Sequence, residues 1–420
     1  MSSVDVIDVL IVGGGPAGAC AGALLSRAPT SKPLRVAILE PKRPSVPADG
    51  DPMDSRVVAI SRASERILGA AGAWAGVRAP LIKGTGSRLC AYERMCVWHE
   101  SVSAGSADAL RFDAADAGEP NLGYIVESRL LQAALLDAFV EGGGAVDPAQ
   151  LIRLQIEEKG VRVETSRGEI QARLVIGADG ARSAVRNAVG LTAESADYRE
   201  TAIVANVATE RPHESTAWQR FMHDGTLAFL PLADGSSSIV WSADNDRAAA
   251  LLAQSTEAFA DELNRASDLA LGATRLLTDR NSFPLQRLTA HRYVAYRCAL
   301  IGDAAHVVHP LAGQGVNLGL LDAAALAQVV TDALAAREDP GALRALRSYE
   351  RWRKSEVAFI GSAIDAFDRF LSHGDGLVSQ LARRGMSWVN RSQEAKRFFI
   401  GRALGVTGEL PRAAQAAGGR

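Results

Sequence analysis

The sequence is poor in cysteine, nearly balanced in charge and without a long unbroken apolar run. Its four cysteines, Cys20, Cys90, Cys96 and Cys298, form no CxxC pair, and no histidine cluster has metal-ligand spacing. A disulfide framework and a structural metal are thereby excluded as the basis of the fold. The four read as reduced core cysteines, and no metal site is expected. A net charge of −2 across 420 residues gives no global basic field, so nucleic acid is not an expected partner. No apolar segment reads as reaching the roughly 18 residues that span a bilayer. Residues 1–8 are acidic and the apolar run after them is broken by glycines, so no signal peptide is read either. These absences predict a cytoplasmic protein, free or on a membrane surface. The length exceeds one ordinary core and suits two domains or a domain with a large insertion.

What is present is a set of short β-branched strands, each ending in glycine or a carboxylate. Val6 to Val12 reads as a buried parallel strand, followed by Gly13-Gly14-Gly15-Pro16-Ala17-Gly18 and an alanine-rich helix to Arg27. Leu34 to Leu39 is a second strand with Glu40 at its end. Leu174 to Ile176 runs into Gly177-Ala178-Asp179-Gly180, and residues 293–301 run into Gly302-Asp303. Between these pieces, residues 88–125 and 200–245 alternate as antiparallel strands do, with an Asp234-Gly235 hairpin turn. Asn317 to Ala336 reads as a long helix, residues 341–405 as helical throughout, and the tail at 413–420 as frayed. The pattern predicts an α/β fold: a Rossmann-like dinucleotide domain (1–80, 112–190, 286–345), an inserted, mostly antiparallel substrate domain (81–111, 191–285), and a helical C-terminal region (346–420).

Gly13-x-Gly15-x-x-Gly18 stands between strand and helix, with Glu40 22 positions beyond the last glycine. The first glycine allows a tight turn, the second lets backbone approach a pyrophosphate, and the third packs helix on strand. The helix N-terminus offers free N–H groups to phosphate. Glu40 would accept from ribose hydroxyls and opposes a 2′-phosphate there. The stretch "ALIGDAAHVVHPLAGQGVN" (299–317) selects a flavin among dinucleotides. A ribityl chain and ring reach beyond the pyrophosphate, so a second site far along the chain is needed. Asp303 at a strand tip would hold a ribityl hydroxyl. Pro310, Gly313, Gln314, Gly315, Val316 and Asn317 would line or support the flavin edge.

Three motifs in this order resemble those of the class A flavoprotein aromatic hydroxylases of the para-hydroxybenzoate hydroxylase type. They are Gly13 to Gly18, Asp179-Gly180-Ala181-Arg182-Ser183 with Arg186, and Gly302-Asp303. The passages at 54–74, "MCVWHE" (95–100), "LGYIVESRLLQAAL" (122–135) and 309–326 resemble the ubiquinone-biosynthesis hydroxylases, with a lean toward 2-polyprenylphenol hydroxylase. Ser128, where that family often has asparagine, and "NRSQEAKR" (390–397), without its common proline, are departures.

The resemblance implies FAD as cofactor, NADH or NADPH as transient reductant, and oxygen transfer from a C4a-hydroperoxyflavin to a phenol ring. It implies no catalytic triad and no second glycine motif, and neither is found. It assigns Arg56 to the isoalloxazine side and Arg129 to the pyrophosphate side. Asp179 would serve FAD or cap the following helix; Arg182 and Arg186 read as phosphate or salt-bridge residues. Pro310, His309 and Arg56 are the candidate catalytic residues. His306 and His309 alternatively read as loop histidines bonded to backbone. Phe221, Phe229, Leu230, Pro231 and Trp241 would line a polyprenyl channel or be sheet core.

Residues 375–405 combine Arg383, Arg384, Arg391, Lys396, Arg397 and Arg402 with Trp388, Phe398 and Phe399, as a membrane-surface segment would. Expected partners are therefore a polyprenylated phenol, O2, a quinone-biosynthesis complex and the inner face of a membrane. Two alternatives stay open: a hydroxylase of a soluble aromatic compound, and a non-catalytic FAD-binding member of such a complex.

Overall fold

The structure is a computed structural model. It describes residues 6–48, 50–79, 87–309, 313–371, 392, 401 and 404–416, without the side chains of 363–371. Pro310 and the basic and aromatic residues named at 383–402 lie outside the described residues.

The expected mixed α/β architecture is observed. Ile7–Val12, Val36–Leu39, Gly168–Gly177 and Cys298–Leu300 run parallel and adjacent, in the spatial order Cys298–Leu300, Gly168–Gly177, Ile7–Val12, Val36–Leu39. Val36–Leu39, Cys298–Leu300 and the last four residues of the other two strands are buried, as expected for a parallel sheet covered by helices. Helix Pro16–Ser26 packs against Ser128–Glu141 and Gln314–Ala335. The register aligns Val12 with Leu39 and with Gly177, and Gly177 with Leu300. Four carboxyl-terminal strand ends therefore share one edge, where ligands of open α/β sheets bind.

A second sheet has nine strands, among them Arg94–His99, Leu110–Asp113, Ala193–Thr209, Thr216–Met222, Gly225–Pro231, Ser237–Asp244 and Asn281–Ala290. It is antiparallel except for Thr216–Met222 beside Arg94–His99. Helix Thr256–Ala266 packs Phe259 and Leu263 into one face with Phe229 and Trp241. Sheet membership crosses the domain boundaries drawn from sequence. Leu110–Asp113, Asn281–Ala290 and His306–Val307 all belong to this second sheet.

Two expectations are corrected. Gln314–Ala335 is long and apolar enough to cross a membrane, but 67% of its apolar 18-residue window is buried inside the protein. Alanine and leucine spaced all round a helix also suit a central core helix. The stretch 413–416 is not frayed: Ala414 is fully buried and Arg412 N–H donates to the Gln328 side chain.

Candidate active site

The four strand tips carry the first group of candidate residues. Gly13 has φ +102°, and a Cβ there would collide with the Ala178 carbonyl. One on Gly18 would collide with the Gly13 carbonyl. Gly15 is different: a Cβ would meet nothing within 4 Å, so protein packing does not require glycine there. Gly15 also caps helix Pro16–Ser26 without a side chain, leaving first-turn N–H groups unmet. Open space before an uncapped helix N-terminus fits a diphosphate. Ala17 seals the loop from beneath, close against Gly302 and Gly319. Glu40 lies on this loop and accepts from the Gly14 N–H at 2.8 Å and from the Lys42 N–H at 3.0 Å. Gln132, unnoticed in the sequence, donates to the Gly14 carbonyl at 2.9 Å. Arg129 lies one turn earlier on that helix face. It pairs with Asp54 (3.2 Å) and Glu127 (3.3 Å). Burial pushes the Glu127 carboxyl up, but Arg88, the Asp54 N–H and Arg129 outweigh it and hold it below the usual range.

Asp179 is a helix cap. It accepts from Ser183 Oγ at 2.5 Å and from the N–H groups of Ala184 and Val185. Arg186, read from sequence as a phosphate or salt-bridge residue, turns its guanidinium onto backbone carbonyls. It is buried and donates to the carbonyls of Ala304 (2.9 Å) and Ala181 (2.7 Å), tying the second motif to the third. Asp303 follows Gly302, whose φ is +57°. Its carboxylate opens to a cleft but lies deep in protein, and burial raises its pKa against the pull of His306 and Arg56.

Beneath Asp303 is a fully buried Asp322. It accepts from the Gly302 N–H (3.0 Å) and Arg353 Nε (2.8 Å) and meets His306 Nε2 at 2.5 Å. Burial pushes its pKa up, yet His306 and Arg353 outweigh that and hold it low. A lone carboxylate in the apolar helix "LGLLDAAAL" was the available signal.

Asp303 opens into a cavity of about 890 Å³, walled also by Arg56, Val57, Gly313, Gln314, Gly315 and Val316, and by the second sheet. The helix beginning at Gln314 has no side-chain cap, so a second helix N-terminus faces this space. Asn317, expected to hold the loop or the flavin edge, is a buried pin that holds the loop at Gly313. Its amide accepts from the Ser61 N–H and donates to the Ala59 and Gly313 carbonyls. His309, a catalytic candidate from sequence, is not among the residues that line the cavity. It is buried off the cavity wall, 3.4 Å from Glu200 and edge-on to Tyr198. Among the described residues no histidine lines the cavity.

Of the five residues proposed for the substrate channel, Leu230 alone lines it. Phe229 and Trp241 point to the opposite face, into the core under Phe259. Pro231 shares that parity. Phe221 pairs with Thr226 on the cavity face but does not reach the wall. The reason is the period of two along a strand: bulk marked the helix-covered face. The wall itself carries Ala217, Gln219, Thr226, Ala228, Val240 and Ser242, closed by Tyr92, Met95, Phe112 and Phe283.

A family described as FAD binding domain matches residues 6–358. The chain is 36% identical to ubiquinone hydroxylase UbiL of Rhodospirillum rubrum, over 96% of this chain and 91% of that protein. It is 34% identical to 3-demethoxyubiquinol 3-hydroxylase of Escherichia coli (95% and 98%). It is 32% identical to human ubiquinone biosynthesis monooxygenase COQ6 (93% and 90%). Its fold resembles p-nitrophenol 4-monooxygenase PnpA of Pseudomonas putida, with TM-score 0.74 at 18% identity over 95% of this chain and 98% of that one. The chain belongs to this FAD-binding family, as an FAD-dependent monooxygenase with hydroxylase relatives.

Proposed function

We propose that this protein hydroxylates the aromatic ring of a polyprenylated phenol in ubiquinone biosynthesis, with FAD resident, NADH or NADPH as reductant and O2 as oxidant. The observation that carries the reading is the cavity. It joins the strand tip of Asp303 to a mostly apolar sheet face, in a chain whose relatives are named for ubiquinone hydroxylation. In this reading the parallel sheet carries the cofactor and the second sheet the substrate.

FAD, when bound, supplies dioxygen activation and oxygen transfer. The chain supplies position and dryness. The Gly13–Gly18 backbone and the helix N-terminus after it hold the diphosphate, and Glu40 a ribose hydroxyl. Asp303 would hold a ribityl hydroxyl, while Arg56 and the Gly313–Val316 backbone would border the ring system. Met95, Phe112, Leu122 and Ile125 exclude water from the reacting space. The basic, aromatic segment at 375–405 brings the protein to the membrane that holds such a substrate.

The test is mass spectrometry of quinone precursors in cells with and without the gene product. A prenylated phenol one hydroxyl short accumulates if the reading holds, and its mass names the step. Unchanged precursors in a strain with no redundant hydroxylase would sink it.

A further inference from the structure

Three side chains on the cavity face of the second sheet make no hydrogen bond among the described residues, and their polar atoms reach the cavity instead of being sealed from it. Gln219, Thr226 and Ser242 are 6%, 5% and 3% exposed, line the cavity, and have no side-chain partner among the described residues. Buried polar groups are nearly always paired. Here they stand among apolar neighbours such as Met95, Phe112, Leu122 and Leu230. They are also contiguous. Thr226 pairs directly with Ser242, and Gln219 pairs with Ala228, two residues along from Thr226. Direct neighbours on one face lie about 4.5–5.5 Å apart and diagonal ones about 7–8 Å, comparable with the spread of oxygens around one benzene ring. Asp303, Arg56 and Asp54 lie at the strand-tip end of the cavity, and Ser55, Tyr92, Asn281, Gln286 and Gln314 are further polar wall residues.

We infer that Gln219, Thr226 and Ser242 form a specificity row that hydrogen-bonds the oxygen substituents of the substrate ring and so sets which ring carbon is presented toward the strand-tip end. The inference rests on the reading of the cavity as a phenol site. A hydroxyl both donates and accepts, and a carboxamide does so with two separate atoms. The row therefore serves hydroxyl and alkoxy oxygens alike, while the apolar wall takes the prenyl chain. A site built to bond such an oxygen discriminates strongly against a ring lacking it, because its own buried groups are then left unpaired.

The experiment compares wild-type holoenzyme with Gln219→Leu, Thr226→Val, Ser242→Ala and the triple variant. Equilibrium dialysis gives the affinity for a short-chain prenylphenol and for the matching prenylbenzene. The wild type is expected to prefer the phenol by at least about tenfold, and the triple variant to lose that preference mainly through weaker phenol binding. Hydroxylation by the single variants is expected to spread over more than one ring position. Melting temperatures should stay level or rise, since no protein partner is lost. A triple variant that folds and keeps the wild-type ratio overturns the inference, as does a wild type indifferent to the ring oxygen. Failure of the prenylphenol reading looks different: the wild type would bind phenol as tightly as prenylphenol. The row is then judged by the same ratio measured on phenol and benzene.

Discussion

The strand tips of the parallel sheet and the cavity wall of the second sheet treat buried polarity in opposite ways. At or beneath the tips, Asp179, Arg186, Asn317 and Asp322 close onto N–H groups, carbonyls and neighbouring side chains. On the wall, Gln219, Thr226 and Ser242 stay open to the cavity. The tips hold their shape before any ligand arrives, as a site for an invariant cofactor should. The tips close their polar side chains onto the protein itself, whereas these three wall side chains face the cavity.

The largest expected effect breaks the frame. Gly13→Val forces a branched side chain into a φ of +102° and against the Ala178 carbonyl. It is expected to cost on the order of 5 kcal/mol and to abolish FAD retention, measured by urea unfolding and by flavin absorbance after purification. Gly15→Ala meets open space, so it should keep the fold and lose only FAD affinity. Equal destabilisation by the two would erase the distinction between packing glycine and ligand glycine.

Asp322→Ala comes next. It leaves His306, Arg353 and the Gly302 N–H without their common partner, at a cost of about 3–5 kcal/mol read from the denaturant midpoint. The native pKa of Asp322 is depressed. Its contribution is therefore complete above the ordinary carboxylate value of 3.8 and lost as pH falls toward the lower native value. The acid limb of the wild-type stability curve should flatten in Asp322→Asn; an unchanged limb would refute the charged pairing.

Phe229→Ala and Leu230→Ala sharpen the comparison within one strand. Phe229 is packed under Trp241 and Phe259, so its loss should cost about 3–5 kcal/mol. Leu230 lines the cavity, so its truncation should cost less than about 2 kcal/mol and raise KM for a prenylated substrate. Reversed effects on melting and KM would mean the faces are assigned the wrong way round.

The smallest stability change is expected at Asp303→Asn. Burial raises the native pKa of Asp303, so its ionised form disfavours the FAD-free fold at neutral pH and less so as pH falls toward its native value. The variant should melt slightly higher without FAD at pH 7 and bind FAD about 10–100-fold more weakly. A lower melting point without FAD would show that the carboxylate is structural.

By itself the sequence determined the cofactor half. Glycines at fixed offsets after a strand, and carboxylates at strand tips, are local patterns, because the turn and the helix start that they serve are local. Register of the parallel sheet then brings Val12, Leu39, Gly177 and Leu300 level, and this only assembles what the motifs announced. The cavity wall of the second sheet was decided by tertiary structure. Which face of a strand meets a cavity depends on what packs on the other face, and helix Thr256–Ala266 claimed the face with Phe229 and Trp241. Asp322, His306 and Arg353 likewise come from two helices and a short strand and meet only in the folded core. Pairing across long sequence separation leaves no spacing to read, whereas a turn writes its requirement into consecutive residues.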